Sequence, residues 1–486
     1  MNGGDPLVQA AVERLAAMSR RRWLKNSALS AAALALQGTP LRAQDPASSH
    51  DQARGLHFAP RCKRVIWLFQ AGGPSQFETF DNKPELRKRH GDPLPDSVRG
   101  GQRLTGMSGN QAELKCAGSF AEFARHGKSG IEISSLLPHT ARIADRLCVL
   151  RAVHTEAINH DPAITFFCSG SQIAGRPSMG SWLSYGLGSD NRDLPAFVVL
   201  VSKDSSRDQP LYSRLWGSGF LPSEHQGVPF RAGKDPVLFL GNPQGVSPKD
   251  RRAMLDALSR MADESMRQWG DRDALARVEQ AELAFRMQTS VPEATDLRSE
   301  SDATFSRYGE AARDPGTFAA NCLLARRLVE RGVRFVQLFH QGWDQHGGMR
   351  GGIAHQCAQT DQASAALVED LAERGMLEDT LVVWGGEFGR TAYCQGRMTN
   401  DDYGRDHHPR CFSMWMAGGG VKRGHVHGET DEFGYNVQRG GVHVHDLHAT
   451  MLHLLGVDHE RQTYAFQGRR YRLTDIAGRV VHDVLA

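Results

Sequence analysis

Short apolar runs alternate with longer amphipathic segments along most of the chain. Runs rich in Val, Ile, Leu and Phe predict buried strands, because a strand covered on both faces is apolar at nearly every position. Amphipathic periodicity predicts helices between them. The alternation predicts an α/β fold with a mostly parallel sheet and helices on both faces. The predicted strands are 64–70, 147–153, 197–201, 333–339, 381–384 and 411–417, and the predicted helices are 247–289, 317–330, 360–374 and 446–455.

Polar side chains follow several predicted strands, at the edge where open α/β sheets bind ligands. Asp344 and His346 come after one strand, and Glu387 comes after another. We interpret Asp406 and His407 as a third strand-end pair. A mixed set of carboxylates and imidazoles is typical of a divalent-metal site that activates water for hydrolysis. The alternative is a polar rim held together by hydrogen bonds alone.

The N-terminus predicts export. Residues 19–25, SRRRWLK, resemble a twin-arginine motif, and an alanine-rich apolar run follows at 28–36. That run is shorter than the ~20 apolar residues that span a bilayer. We therefore interpret residues 1–43 as a signal peptide cleaved after Ala43, and residues 44–60 as a linker. The expected partner is the twin-arginine export machinery, and the expected location is periplasmic or extracellular; a basic N-terminus without a targeting role is the alternative.

Composition narrows the classes of function. The chain has 486 residues, of which 40% are hydrophobic and 23% charged, and its net charge is +3. So small a charge gives no basis for nucleic-acid binding. No later segment is apolar enough for a transmembrane helix. The eight cysteines form no CxxC pair, which argues against a zinc ribbon, although export would permit disulfides.

Residues 371–389 lead from a helix through a strand to GGEFG, and they resemble the corresponding segment of sulfatases and related alkaline-phosphatase-like enzymes. The resemblance implies an alkaline-phosphatase-like (sulfatase-like) three-layer α/β sandwich. Residues 61–486 would form it as a single domain, with a helical insertion around 245–330. Glu387 falls where that superfamily has a metal-binding Asp, and Phe388 falls where it often has a metal-binding His.

Other positions depart from the superfamily. His160 stands where those enzymes have a cysteine, serine or threonine nucleophile. The first strand ends in the Ala-Gly-Gly of residues 71–73, where they have a metal-binding Asp. Ser75, Glu78 and Asp81 follow that turn, and we consider them alternative ligands or supports for ligands.

The chain as a whole resembles more closely an exported family of that superfamily, domain-of-unknown-function family fifteen-oh-one. The matching motifs cover residues 64–475, nearly all of the expected mature protein. The resemblance leaves the activity open. The motifs are GGPS, NHDPA, GRPSMGSW, WDQHGG, GGEFGR, GRDHHP and DLHATMLHLLG.

Two hypotheses of function follow. In the first, the chain is a metal-dependent hydrolase of sulfate or phosphate esters, with an anionic ester such as a polysaccharide ester as its substrate. The metal is a divalent ion: Zn²⁺, Ca²⁺ or Mn²⁺. In the second, the chain is a catalytically silent binding or assembly protein, which the missing nucleophile and Phe388 favour.

The hydrolase hypothesis assigns a role to each candidate residue. His160 is the general base or nucleophile, with a pKa tuned by its neighbours. Arg176 or Arg390 binds the anionic group of the substrate. The expected metal ligands are Asp344, His346, Glu387 and His407, with Asp406 and His408 orienting them.

Overall fold

The computed structural model describes residues 54–205, 209–233, 235–238, 240–399 and 402–486. The predicted signal peptide lies outside these residues, as does most of the predicted linker. The described strands, in chain order, are β1 (Arg64–Gln70), β2 (Phe123–His126), β3 (Ile131–Ser134), β4 (Leu147–His154), β5 (Phe197–Val201), β6 (Val228–Phe230), β7 (Phe335–His340), β8 (Thr380–Gly385), β9 (Gly389–Gln395), β10 (Gly404–His408), β11 (Phe412–Ala417), β12 (His425–His427), β13 (Glu429–Thr430), β14 (Val437–Arg439), β15 (Val442–His443), β16 (Tyr464–Phe466) and β17 (Arg469–Tyr471). The described α-helices are α1 (Pro84–Lys88), α2 (Asp96–Arg99), α3 (Pro138–Arg142), α4 (His160–Ser169), α5 (Met179–Leu187), α6 (Pro248–Trp269), α7 (Arg272–Thr295), α8 (Asp302–Tyr308), α9 (Phe318–Glu330), α10 (Met349–Glu373) and α11 (Val444–Leu454).

The central sheet has the strand order β12-β4-β11-β8-β1-β7-β5-β6, with β15 also paired to β4. Its neighbours are parallel except for β11, which is antiparallel to both β4 and β8. The register aligns Phe69 of β1 with Phe339 of β7 and with Gly385 of β8. The carboxyl ends of these three central strands therefore meet at one edge of the sheet.

Both faces of the sheet are covered, because alternate side chains of a strand point to opposite faces. Ile66 and Leu68 of β1 belong to a core shared with α9 and α10. Val65, Trp67 and Phe69 belong to a second core, shared with α4, α5 and α11. All five side chains are fully buried. The predicted three-layer α/β arrangement with a mostly parallel sheet is confirmed.

One of the three predicted strand ends does not belong to the main sheet. Asp406 and His407 do not follow a strand of the main sheet; they lie inside β10, which pairs with β9 in a separate antiparallel hairpin. That interpretation was wrong, because hydrophobic periodicity does not reveal a strand that is buried through polar pairing. The hairpin is fixed by Arg405, which pairs with Glu78 at 2.7 Å while both side chains are completely buried.

Residues 248–295 form a helical hairpin of α6 and α7, in the region where the sequence predicts an insertion. α6 begins with a capping box between Ser247 and Asp250 and ends at Gly270, which has the left-handed conformation. α6 packs against α7, and α7 joins the main core through Val291. The hairpin therefore forms a layer outside the sheet and its covering helices.

The eight cysteines, all within the described residues, are buried and unpaired. Burial raises the pKa of Cys168 to about 12, which keeps this thiol protonated and unreactive. In the described part of the chain, no helix combines the length and the hydropathy that crossing a membrane requires.

Several histidines are buried as neutral rings. Desolvation is the main cause that lowers the pKa of His225 and His340 to about 4 and that of His448 to about 3. The His448 Nε2–H donates to the carbonyl of Phe167 at 2.7 Å, which fixes the ring inside the fold. An unfolded histidine has a pKa of about 6.5, so the unfolded chain binds more protons than the folded one below that pH.

We therefore expect stability to decrease as the pH falls from about 6.5 toward about 3. Between pH 7 and pH 5, His448 alone should account for about 2 kcal/mol of this loss. A His448→Gln variant keeps an amide donor for Phe167 and does not titrate. Its melting temperature, measured by scanning calorimetry, should fall less over this interval than that of the unmodified chain; an equal fall would contradict the assignment.

Candidate metal centre

Four side chains converge at the carboxyl edge of the sheet. His160 is the first residue of α4, Asp344 and His346 lie in the loop between β7 and α10, and His407 lies in β10. One ligand atom of each lies within 4.8 Å of the ligand atoms of the others. We call these four residues the donor group.

The carboxylate of Asp344 lies at the centre of the donor group. Its Oδ1 is 2.8 Å from His346 Nε2 and 3.4 Å from His407 Nε2. Its Oδ2 is 3.1 Å from His160 Nε2. The Nε2 atoms of His346 and His407 are 3.1 Å apart. Three imidazole nitrogens therefore face one carboxylate.

Each imidazole of the donor group is held by its other ring nitrogen. The Nδ1 of His160 is 2.5 Å from Glu387 Oε1, and the Nδ1 of His407 is 2.8 Å from a backbone carbonyl oxygen. The Nδ1 of His346 contacts Oε1 of Gln395. When Nδ1–H donates to these oxygens, the Nε2 lone pair faces the group. Metal-binding histidines are typically oriented in this way.

Glu387 lies behind the donor group and not within it. Its side chain is fully buried, and the amide of Gly72 lies 2.9 and 3.2 Å from its two oxygens. A buried carboxylate is unfavourable without such partners. The sequence predicts Glu387 as a metal ligand, but in the structure it holds the ring of His160 and is not one of the four convergent donors.

Glycine at position 72 allows this contact. Its φ is 116°, and a Cβ there would lie 2.7 Å from the amide nitrogen of Trp343 and 2.8 Å from that of Asp344. A side chain would displace the loop that contains Asp344. Position 72 therefore cannot supply the carboxylate found at the end of the first strand in the superfamily that the sequence resembles.

Arg390 supports the same loop. Its guanidinium donates to Asp344 Oδ1 at 2.6 Å and also to four backbone carbonyl groups. The side chain is completely buried. The expectation that Arg390 binds the anionic group of a substrate does not fit this placement, because protein acceptors already surround the guanidinium.

The other predicted site residues lie outside the donor group. Arg176 donates to Asp475 at 3.1 Å and lies over the ring of Tyr471, while its buried Nη1 has no partner among the described residues, so its anion-binding role stays a prediction. The other predicted residues are held by protein partners. Glu78 pairs with Arg405 and accepts from Ser75, and Asp81 pairs with Lys83 and accepts from Thr430. Asp406 accepts from Thr105 and Ser108, and the ring of His408 donates to the backbone carbonyl of Tyr435.

The ionisable side chains of the donor group differ in charge. Burial opposes ionisation of Asp344, but hydrogen bonds from the three histidines and the charge of Arg390 hold its pKa well below the usual range. Burial lowers the pKa of His407 to about 4. Burial also acts on His160, but the carboxylates of Asp344 and Glu387 outweigh it and raise the pKa of His160 to about 9. An ionised carboxylate thus faces the neutral imidazole of His407 and the protonated ring of His160, whose Nε2 must lose its proton before it can bind a metal ion.

The donor group fits a divalent metal ion. The buried Nε2 of His160 has no aligned hydrogen-bond partner among the described residues, although Asp344 Oδ2 is only 3.1 Å away. A cation between them would satisfy both atoms. Imidazole nitrogens with a carboxylate oxygen are common ligands of four-coordinate Zn²⁺. Ca²⁺ prefers a shell made of oxygen atoms.

Two neighbours of the group, Phe388 and Gln395, support it in ways that were not predicted from the sequence. The ring of Phe388 packs 4.9 Å from that of His160 and 4.5 Å from that of His407, between centroids. The position of Phe388 in the GGEFGR motif, next to Glu387, could have indicated that it lies at the site. Gln395, the partner of His346, gave no local signal, because its contact depends on the hairpin of β9 and β10.

Comparison with family models supports the family that was predicted from the sequence. A family model described as "protein of unknown function (DUF1501)" matches residues 62–485. A search of curated protein sequences finds no significant match.

Solved structures of alkaline phosphatases and sulfatases match most of the chain at low scores. The alkaline phosphatase from the Antarctic bacterium TAB5 is 11% identical with a TM-score of 0.32, covering 82% of this chain and 99% of that one. The PsFucS1 sulfatase from Pseudoalteromonas sp. is 12% identical with a TM-score of 0.32, covering 82% and 68%. A protein in the alkaline phosphatase superfamily from Vibrio parahaemolyticus is 10% identical with a TM-score of 0.34, covering 88% and 78%. Scores of this size say nothing about a shared activity.

We expect Glu387→Gln to weaken Zn²⁺ binding by about 10- to 100-fold, because the variant loses the charge that orients His160. Competition with a chromophoric chelator measures this affinity. Asp81→Asn is the matched control, since Asp81 is also a buried carboxylate but pairs with Lys83 and Thr430. An unchanged affinity in Glu387→Gln, or an equal loss in the control, would contradict the role of Glu387.

Proposed function

The chain belongs to the DUF1501 family of proteins of unknown function, and we propose that it is a metal-dependent hydrolase of sulfate or phosphate esters. The observation that supports this most directly is the donor group: three imidazole Nε2 atoms and the Asp344 carboxylate converge at the edge of a parallel sheet, where such folds bind ligands. Each imidazole is oriented by a second contact through its Nδ1 atom, as is usual for metal-binding histidines.

A divalent ion would supply Lewis-acid polarisation of an ester oxygen and a lowered pKa for water. His160, Asp344, His346 and His407 would hold it. Their nitrogen-rich set favours Zn²⁺, and then Mn²⁺, over Ca²⁺ among the three predicted ions. Glu387 and Gln395 would keep two of the rings in place.

Solvent reaches Asp344 and His346 and, to a smaller extent, His160. The side chain of Asp344 is 20% exposed and that of His346 is 29% exposed, whereas Glu387 is fully buried. An ester can therefore approach Asp344 and His346, while the supporting carboxylate stays dry. Phe388 packs against His160 and His407, whose side chains are 14% and 5% exposed.

Water is the nucleophile that these surroundings favour. Among the described residues, the donor group forms no hydrogen bond with a Ser, Thr or Cys side chain. The oxygen of the water would attack phosphorus or sulfur, the bond to the alcohol oxygen would break, and the leaving alcohol would take up a proton that the water loses. His160, which the sequence predicts as base or nucleophile, would serve as a ligand held by Glu387.

A catalytically silent metal-binding protein is the second candidate. It is favoured by the engagement of Arg390, whose donors are directed to protein acceptors. In that case the donor group would bind a metal ion for structure or assembly. Export through the twin-arginine route and a polysaccharide as the alcohol part both stay predictions, and residues 1–43 lie outside the described residues.

We expect the Zn²⁺- or Mn²⁺-loaded protein to hydrolyse p-nitrophenyl phosphate or p-nitrophenyl sulfate, and chelation to abolish the turnover. His346→Gln should lower kcat/KM by about 100-fold or more, because it removes one donor. The matched control is His425→Gln, a histidine of the edge strand β12, which should leave kcat/KM unchanged.

Full metal occupancy without turnover of any aryl phosphate or sulfate would support the silent alternative. Turnover that survives in both Asp344→Asn and His346→Gln would remove the donor group from the mechanism. Both results can be read from one assay plate when metal content is measured in parallel by mass spectrometry.

A further inference from the structure

A cavity of about 530 Å³ lies at the same edge of the sheet as the donor group. His154, Thr155 and Glu156 form one wall, and Pro409 and Arg410 form another. β4, which ends at His154, points the same way as β8, because both strands are antiparallel to β11. The carboxyl end of β4 therefore lies at the edge where the donor group forms.

Two short segments connect the cavity to the donor group. One leads from Thr155 to His160, and the other leads from His407 to Arg410. They are joined at two points: the amide of Thr155 donates to the carbonyl of Pro409 at 2.9 Å, and the Nδ1 of His407 is 2.8 Å from a backbone carbonyl oxygen of the first segment. Three residues span at most about 11 Å. The backbone of Arg410 therefore lies within that distance of the backbone of His407, and one ligand can reach both.

Arg410 supplies a positive charge that is not already paired. The residue is exposed, and among the described residues its side chain forms no ion pair and no hydrogen bond. In this it differs from Arg390 and Arg405 of the neighbouring hairpin, which are fully buried and bound to protein acceptors. A guanidinium binds carboxylate, sulfate or phosphate groups through paired N–H donors. Arg410 is therefore available to an anionic group of a ligand.

The wall formed by the end of β4 offers hydrogen-bond donors and acceptors. In the described part of the chain, His154 makes no hydrogen bond, although its ring centroid is 5.3 Å from that of His443. Burial is the main cause that lowers the pKa of His154, so its neutral ring has one N–H and one lone pair. The side chain of Glu156 is 63% exposed, and its Oε1 is 2.9 Å from the Nε2 of His443. A carboxylate has about four acceptor sites, so Glu156 can also accept from hydroxyl groups.

We propose that this cavity binds the alcohol part of the substrate, and that this part is a sugar unit with a second anionic group. The inference rests on the proposed function, because the donor group would bind the ester that is cleaved. The second anionic group would pair with Arg410, and hydroxyl groups of the sugar would bond to His154 and Glu156. Cavities of this size commonly bind small organic ligands.

The side chains of the cavity favour an anionic sugar over other alcohols. An apolar alcohol would remove water from Arg410, His154 and Glu156 without replacing its hydrogen bonds, which is unfavourable. A polyanion without hydroxyl groups would pair with Arg410 but would bring negative charge to Glu156 and no donor for it. A sugar with a second anionic group supplies the charge that Arg410 binds and the hydroxyl groups that Glu156 binds.

Isothermal titration calorimetry of the Zn²⁺-loaded full chain tests the proposal with two probes, glucose 1-phosphate and glucose 1,6-bisphosphate. The bisphosphate differs by a second anionic group on the same sugar. We expect it to bind about tenfold more tightly, because charge-assisted hydrogen bonds to Arg410 contribute about that factor. Arg410→Gln should reduce the ratio of the two affinities to about one. Arg410→Glu should reduce it further, because the reversed charge repels the second phosphate.

Arg125→Gln is the matched control, since Arg125 is an exposed arginine of β2 without an ion pair among the described residues, and it should keep the tenfold ratio. No binding of the bisphosphate, equal affinities for the two probes, a ratio that survives Arg410→Glu, or an equal loss in Arg125→Gln would each overturn the proposal. Phosphate release is measured in the same samples. A ratio that depends on Arg410 without any release of phosphate would support the sugar-binding cavity and count against hydrolysis. Circular dichroism confirms that every variant is folded.

Discussion

A single buried carboxylate ties the candidate site to the fold. Glu387, at the end of β8, accepts from the backbone amide at the end of β1 and holds the ring at the start of α4. Because an unpaired buried charge is costly, these three segments must stay together. The glycine at position 72 makes the contact possible, and the same close approach excludes a first-strand carboxylate. The close approach that places Glu387 behind His160 thus leaves no room for a carboxylate at position 72, and the convergent donors are His160, Asp344, His346 and His407.

Arg390 and Arg405 extend this principle along the hairpin of β9 and β10. Both are fully buried arginines whose donors are directed to protein acceptors, Asp344 and backbone carbonyls for one and Glu78 for the other. They position the strand that contains His407 against the loop that contains Asp344. Charged side chains in this region thus fix geometry, and in the proposed hydrolase the charge that a substrate meets comes from the ion and the donor group.

Local patterns were enough to predict part of this arrangement. The apolar runs of β1, β7 and β8 predicted the sheet, and the polar residues after them identified Asp344, His346 and Glu387. The sequence could not show that Glu387 supports a ligand, that His160 is a donor, or that Arg390 is engaged. Those facts depend on contacts between segments far apart in the chain. The hairpin of β9 and β10 was missed for a related reason, since polar pairing buries it.

X-ray absorption spectroscopy at the zinc edge of the Zn²⁺-loaded chain tests whether the donor group binds a metal ion. We expect one tightly bound ion with imidazole scattering from three histidines at about 2.0–2.1 Å and one carboxylate oxygen. Loss of one imidazole from the spectrum in His160→Ala would identify the ligand that Glu387 orients. A spectrum with only oxygen ligands, or no stoichiometric ion at all, would show that the donor group does not bind zinc.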